Sequence, residues 1–156
     1  MTNERKIRIG ITQGDTNGIG YEVILKTFSD PTMLELCTPV IYGSSKIMSY
    51  HRKAVGVQAF QTNNVKSVDY LKENLPNVVE VCSDEVKVEL GKADKQAGKA
   101  AFLALEAAIT DLKKGKIDAI VTAPISKENI QSAEFNFPGH TEYLEASVGE
   151  GSKALM

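Results

Sequence analysis

Strand and helix patterns alternate along this chain of 156 residues, and that alternation leaves few folds open. Ile7-Arg8-Ile9-Gly10-Ile11 alternates and is rich in isoleucine, the pattern of a strand. A glycine-rich turn over residues 12–20 follows, then a short helix over 21–28 with Val23, Ile24, Leu25 and Phe28 on or near one face. Ser29-Asp30-Pro31 breaks that helix, and Asp30 suits the cap of a second one with Pro31 at its first position. Met33, Leu34 and Leu36 give this second helix its apolar side. Pro39-Val40-Ile41-Tyr42-Gly43 reads as a strand, and Ser44-Ser45 as the cap of a helix over 46–55. Residues 98–114 form an alanine-rich helix stopped by Gly115, with Lys113 and Lys114 where the helix dipole favours cations. Residues 117–121 predict a buried strand, Ser126 the cap of a short helix through Ile130, and 141–148 a last helix.

The stretch between is less regular. Residues 58–60 and 78–82 predict strands, 67–72 a helical turn, 86–90 an edge or hairpin strand, and 91–97 an exposed polar loop. At the far end Ala154-Leu155-Met156 begins a new apolar run with no stop signal. The fold class expected from this order is α/β, with a mainly parallel sheet and helices on both faces. In such sheets ligands sit outside the carboxyl ends of the strands. That points to the turns after Ile11 and after Val121, and to the later turn at His140.

Three turns carry the chemistry. Gly14-Asp15-Thr16-Asn17-Gly18-Ile19-Gly20 is either a tight strand-to-helix turn or an anion-binding one. It lacks the order Gly-x-Gly-x-x-Gly, so the dinucleotide fingerprint fails, and it lacks Gly-Lys-Ser/Thr, so the phosphate loop fails. Thr122-Ala123-Pro124-Ile125-Ser126-Lys127 ends a strand and puts Lys127 in a first helical turn, where the dipole disfavours a cation unless an anion faces it. Phe137-Pro138-Gly139-His140-Thr141-Glu142 delivers an imidazole and a hydroxyl to a helix start, where free N–H groups attract anions. His51, the other histidine, follows Tyr50 in an amphipathic helix and reads as a surface residue. One histidine without partners at ligand spacing makes no metal site, and no nucleophile elbow is present.

The net charge of −2 gives no electrostatic case for nucleic acid or a membrane surface, and no apolar run reaches the ~20 residues of a membrane span. No secretory h-region precedes the first strand. Cys37 and Cys82 lack CxxC spacing and read as buried small hydrophobes in a reducing, cytoplasmic setting.

Three blocks in this order and spacing resemble the amino-terminal half of the 4-hydroxythreonine-4-phosphate dehydrogenase family of pyridoxal phosphate synthesis. They are Ile11-Thr12-Gln13-Gly14-Asp15 with Gly18-Ile19-Gly20 and Glu22, then Val121 to Lys127, then Phe137 to Glu142. Gln96-Ala97-Gly98 resembles a further block. The resemblance covers this chain and about half of the family's length. It implies a fold like the isocitrate and isopropylmalate dehydrogenases: two α/β domains with a cleft between them, in a homodimer, of which residues 1–156 are the amino-terminal portion.

The implied reaction is oxidation of a secondary alcohol by NAD (or NADP), then loss of CO2. A divalent metal, held by three histidines beyond residue 156, is also implied. By the same resemblance His140 and Thr141 bind substrate; Asp15 and Lys127, read from their turns, are candidate cleft residues. None of the cofactors is expected to be fully held here, and the isolated chain is expected not to turn over.

The family usually carries proline where this chain has Thr16 and Tyr21, which predicts a slightly freer turn. Cutting a shared sheet predicts an open edge, exposed apolar surface, and association or poor solubility. Two other readings stand beside the first: a dehydrogenase of 4-phosphorylated threonate or erythronate, and a non-catalytic module binding phosphorylated metabolites.

Overall fold

The computed structural model describes residues 4–83, 85–132 and 134–149. The expected apolar run at 154–156 lies outside them. The elements are β1 (Arg8–Thr12), α1 (Gly20–Phe28), α2 (Met33–Leu36), β2 (Thr38–Gly43), α3 (Ser45–Ala54), β3 (Asn63–Val65), β4 (Asn77–Glu80), α4 (Lys95–Lys113), β5 (Ala119–Thr122) and α5 (His140–Val148). A 3-10 turn at Val68–Tyr70 matches the helical turn expected there. The five strands make one sheet in the order β3-β4-β2-β1-β5, with every pairing parallel. Among the described residues no helix is long and apolar enough to cross a membrane.

The period-2 alternation of strand side chains sorts the core into two layers. Ile11, Ile41 and Val78 pack with Tyr21, Ile24, Leu25 and Phe28 of α1 and with Ile47 and Met48 of α3. On the other face Val40, Tyr42 and Val79 meet Ala104 and Ala108 of α4. Alanines on α4 let that helix lie close to the sheet. Its far side then receives α5 through Phe102, Leu105, Phe135 and Tyr143. The expected helices on both faces are therefore present.

Local chemistry explains where the elements differ from expectation. Helix α4 starts three residues early because Asp94 accepts from the Gln96 amide at 2.8 Å. Residues 86–90 are not a strand: Asn17 takes the Glu89 amide and holds the turn that follows at residues 91 and 92. Its Oδ1 accepts from Glu89 N at 2.8 Å, its carbonyl from Gly91 N at 2.8 Å, and its Nδ2 donates to the Lys92 carbonyl at 3.0 Å.

Residues 58–60 are not a strand either. Arg52 donates to the Val57 and Gln58 carbonyls, and the third strand forms instead at Asn63–Val65. Ser126 opens only one turn, closed by the Ile130 amide on the Ser126 carbonyl at 3.1 Å. The next amide, Gln131, bonds three residues back to Glu128 rather than four, so the helix does not continue.

The expected buried strand before that turn is the sheet edge. Ile117 is buried, but Val121 of β5 is 54 % exposed. On the α1 side of this edge a groove of ≈ 390 Å³ runs between Val23 and Thr27 of α1 and Val121 of β5, floored by Ile9 and Ile11. Cys37 and Cys82 are half-buried rather than buried, and neither is in a disulfide among the described residues.

Candidate functional site

Helix α1 leaves β1 on one sheet face, while α4 brings the chain to β5 across the other. The strand order therefore reverses between β1 and β5, the place where an open α/β sheet leaves a crevice at its carboxyl end. Two of the three candidate turns meet there. Gly14 has φ +69° and packs against the Ala123–Pro124 backbone, where any side chain would run into the Pro124 carbonyl. The Asp15 amide donates to that carbonyl at 2.9 Å. Asp15 Oδ1 accepts from Asn17 N at 2.9 Å, and its carbonyl accepts from Gly18 N at 3.0 Å. Asp15 is thus largely engaged in shaping its own turn.

The third turn is set by aromatic packing. Phe137 lies edge-on to Tyr143 of α5 with ring centroids 5.2 Å apart, and Phe135 lies 5.0 Å from the same ring. Gln131 Nε2 donates to the Phe137 carbonyl at 2.7 Å. These contacts fix the angle at which the chain enters α5. Gly139 caps the helix in extended conformation with no side-chain hydrogen bond to the first turn. The opening amides of α5 are therefore not capped by a side chain from Gly139, the arrangement that attracts an anion. Glu142 sits in that first turn and opposes an anion there.

His140 and Lys127 come together at this helix start. Lys127 is exposed, and its Cε approaches Gly139. Partial burial pushes the His140 pKa below its ordinary value, and the Lys127 charge pushes it further the same way. The imidazole is then neutral near pH 7, a hydrogen-bonding group beside a cation. Thr141 is half-buried one residue on. Among the described residues no hydrogen bond or ion pair joins Asp15 to His140 or Lys127. Asp15 reaches the Lys127 segment through its amide on the Pro124 carbonyl.

His51 does not behave as a surface residue. It is 2 % exposed, and its Nε2 lies 2.7 Å from the Thr16 carbonyl under the first turn. Its ring stacks on Tyr21, centroids 5.2 Å apart at 29°. Tyr21 in turn donates to Gln13 Oε1 at 2.6 Å and accepts from Ser44 N at 2.9 Å, and Gln13 Nε2 donates to the Ala100 carbonyl at 3.0 Å. Sequence reasoning missed this network because no local period marks it. The only hint was an aromatic, Tyr21, where resemblance led one to expect proline. Among the described residues no group of three His, Cys, Asp or Glu side chains could hold a metal ion.

The chain is 63 % identical over 153 residues to 4-hydroxythreonine-4-phosphate dehydrogenase of Bacteroides thetaiotaomicron, covering 98 % of this chain and 42 % of that protein. It is 32 % identical over 147 residues to a protein of Clostridium botulinum provisionally named D-threonate 4-phosphate dehydrogenase, covering 92 % and 43 %. The crystal structure of a 4-hydroxythreonine-4-phosphate dehydrogenase from Burkholderia phymatum superposes with a TM-score of 0.80 at 28 % identity, covering 92 % of this chain and 44 % of that one. The isocitrate dehydrogenase-like α/β fold class holds on this likeness. The chain spans less than half the length of the curated relatives it matches. The model of the pyridoxal phosphate biosynthetic protein PdxA matches residues 35–156, and the chain belongs to that family.

Proposed function

We propose that this chain supplies the wall that binds the phosphate or polar head of the substrate in a dehydrogenase of a small phosphorylated hydroxy-amino acid, 4-phosphohydroxy-L-threonine. The observation that carries the reading is the meeting of His140, Lys127 and the α5 start on a chain 63 % identical to a dehydrogenase of that name. In such a reaction a secondary alcohol would become a ketone, giving its hydroxyl proton to a base, with a nicotinamide held elsewhere supplying the hydride acceptor, and the resulting β-keto acid would lose CO2. The residues described here supply binding and orientation. The His140 imidazole and the Thr141 hydroxyl hydrogen-bond the head group, and the Lys127 charge offsets its anionic charge. Asp15 holds the adjoining turn.

The described residues do not fit the family's metal, since no three ligating side chains converge. Nor does the 12–20 turn carry a dinucleotide fingerprint. Because the chain covers 42 % of its Bacteroides thetaiotaomicron relative, the reading takes residues 1–156 as an amino-terminal α/β portion of a longer enzyme, proposed to be homodimeric and cytoplasmic as the family resemblance implies. NAD or NADP and a divalent metal would then be held by groups outside these residues.

A second substrate has its own support. The Clostridium botulinum relative is provisionally named for D-threonate 4-phosphate, which carries a hydroxyl where the first substrate carries an amino group. Titration of both compounds into the chain, followed through the ring protons of His140, tests the reading. A shift with either compound that is lost in His140→Ala supports it, and the tighter ligand names the substrate. Absence of any shift at millimolar ligand overturns the role given to His140.

A further inference from the structure

We propose that His51 is a positioning residue: by holding the Thr16 carbonyl from beneath, it sets the turn after β1, and through Asp15 and Pro124 the segment that carries Lys127 to His140. The inference rests on the functional reading above and adds to it a residue that touches no substrate.

The geometry supports each link. The Thr16 carbonyl accepts, so His51 Nε2 must carry the proton, and the 2.7 Å distance marks a strong bond. The ring is sealed between Tyr21, stacked at 5.2 Å, and Tyr50, edge-on at 5.9 Å. One residue before the clamp, Asp15 N reaches the Pro124 carbonyl at 2.9 Å; one after it, Asn17 anchors the 89–92 segment. Pro124 lies three residues before Lys127, whose charge acts on His140.

The clamp also accounts for the two departures from the family pattern. Proline fixes φ by its ring. Here neither Thr16 nor Tyr21 does so, yet both touch His51: one through its carbonyl, the other through its ring face. Tyr21 is further tied by its hydroxyl to Gln13 and to Ser44 N. Constraint that a ring would impose within the chain is supplied from α3 instead.

The chain has two histidines, so His51→Phe leaves His140 as the single imidazole to titrate. Phe keeps the size and the stacking and removes the hydrogen bond. In His51→Phe, amides of residues 15 and 17 should exchange about tenfold faster than in the wild type, while those of β1 and β2 stay as protected. The His140 midpoint should rise toward 6.5 as Lys127 drifts. His51→Gln, whose amide can donate to the same carbonyl, should restore both readouts.

Unchanged turn exchange and an unchanged His140 midpoint in His51→Phe would overturn the proposal. Should that variant fail to fold, the wild-type imidazole nitrogen shifts decide: an unprotonated Nε2 rules out the clamp, and a protonated Nε2 with rescue in His51→Gln upholds it. Failure of the phosphate-ester titration with these results intact would remove the substrate role and leave the clamp standing.

Discussion

Gly98 of α4 lies so close beneath the carbonyl of Asn129 that no Cβ fits between them. The long helix and the turn carrying Lys127 are thereby pressed backbone to backbone. Alanine is the better helix former, by up to about 1 kcal/mol. Overpacking against a carbonyl that cannot swing aside costs about 1–3 kcal/mol and should win. Gly98→Ala is predicted to lower the midpoint of urea unfolding, and an unchanged midpoint would show that the turn yields freely.

Lys127→Met removes a charge that helps hold the His140 pKa down. The midpoint of His140, followed by NMR, should move up but stay below 6.5, because partial burial of the ring is the larger cause. A fall, or no movement, would mean that the two side chains do not face each other in solution.

Burial also lowers the His51 pKa, more than the Thr16 carbonyl and the Glu22 charge raise it. The folded chain resists protonation there, whereas the unfolded chain binds a proton near pH 6.5. Stability from this neutral ring is complete above pH 6.5 and drains away as the pH falls below it. Melting temperature should therefore decline between pH 7 and 5, and the decline should be shallower in His51→Phe. Equal slopes would place the acid sensitivity elsewhere.

Asn77 is a fully buried polar hub. Its Nδ2 donates to the carbonyls of Lys72, Leu75 and Pro39, and its Oδ1 accepts from Lys72 N at 2.8 Å and Asn63 Nδ2 at 2.8 Å. Asn77→Ala leaves those groups without partners and should cost about 3 kcal/mol in chemical denaturation. A loss below about 0.5 kcal/mol, the range of an ordinary surface change, would contradict the hub.

Val121 and Val23 both line the open groove, 54 % and 49 % exposed. Val121→Lys should leave stability within about 0.5 kcal/mol and reduce any self-association seen by light scattering, because lysine on an edge strand discourages pairing. A large loss of stability would show that the groove is covered in solution.

Much of this architecture was readable in the residues. The isoleucine alternation of β1, the Ser44 cap and the alanine run of α4 each carry a local signal strong enough to survive tertiary packing. Residues 86–90 alternate as cleanly as a strand, yet Asn17, some 70 positions earlier, takes the Glu89 amide and pins the residues just after it. The same holds at the site. His140 and Lys127 stood out because their turns have distinctive composition, and the structure brings the two side chains together at the start of α5. His51 was misplaced because its burial depends on Thr16 and Tyr21, which no window around residue 51 contains. What short-range pattern misses here is hydrogen bonding between distant segments.

The pairing of β1 with β5 has a consequence for synthesis on the ribosome. The Arg8 amide ends on the Asp118 carboxylate, 110 residues further along, and Arg5 clasps the same carboxylate at 2.7 and 2.9 Å. At roughly 5–20 residues per second, a ribosome needs about 5–20 s to deliver the later strand after the earlier one has emerged. β1 can meet β2 long before that, so for those seconds the nascent chain displays one bare flank of β1, a window in which a chaperone or a neighbouring polysome product could engage it first.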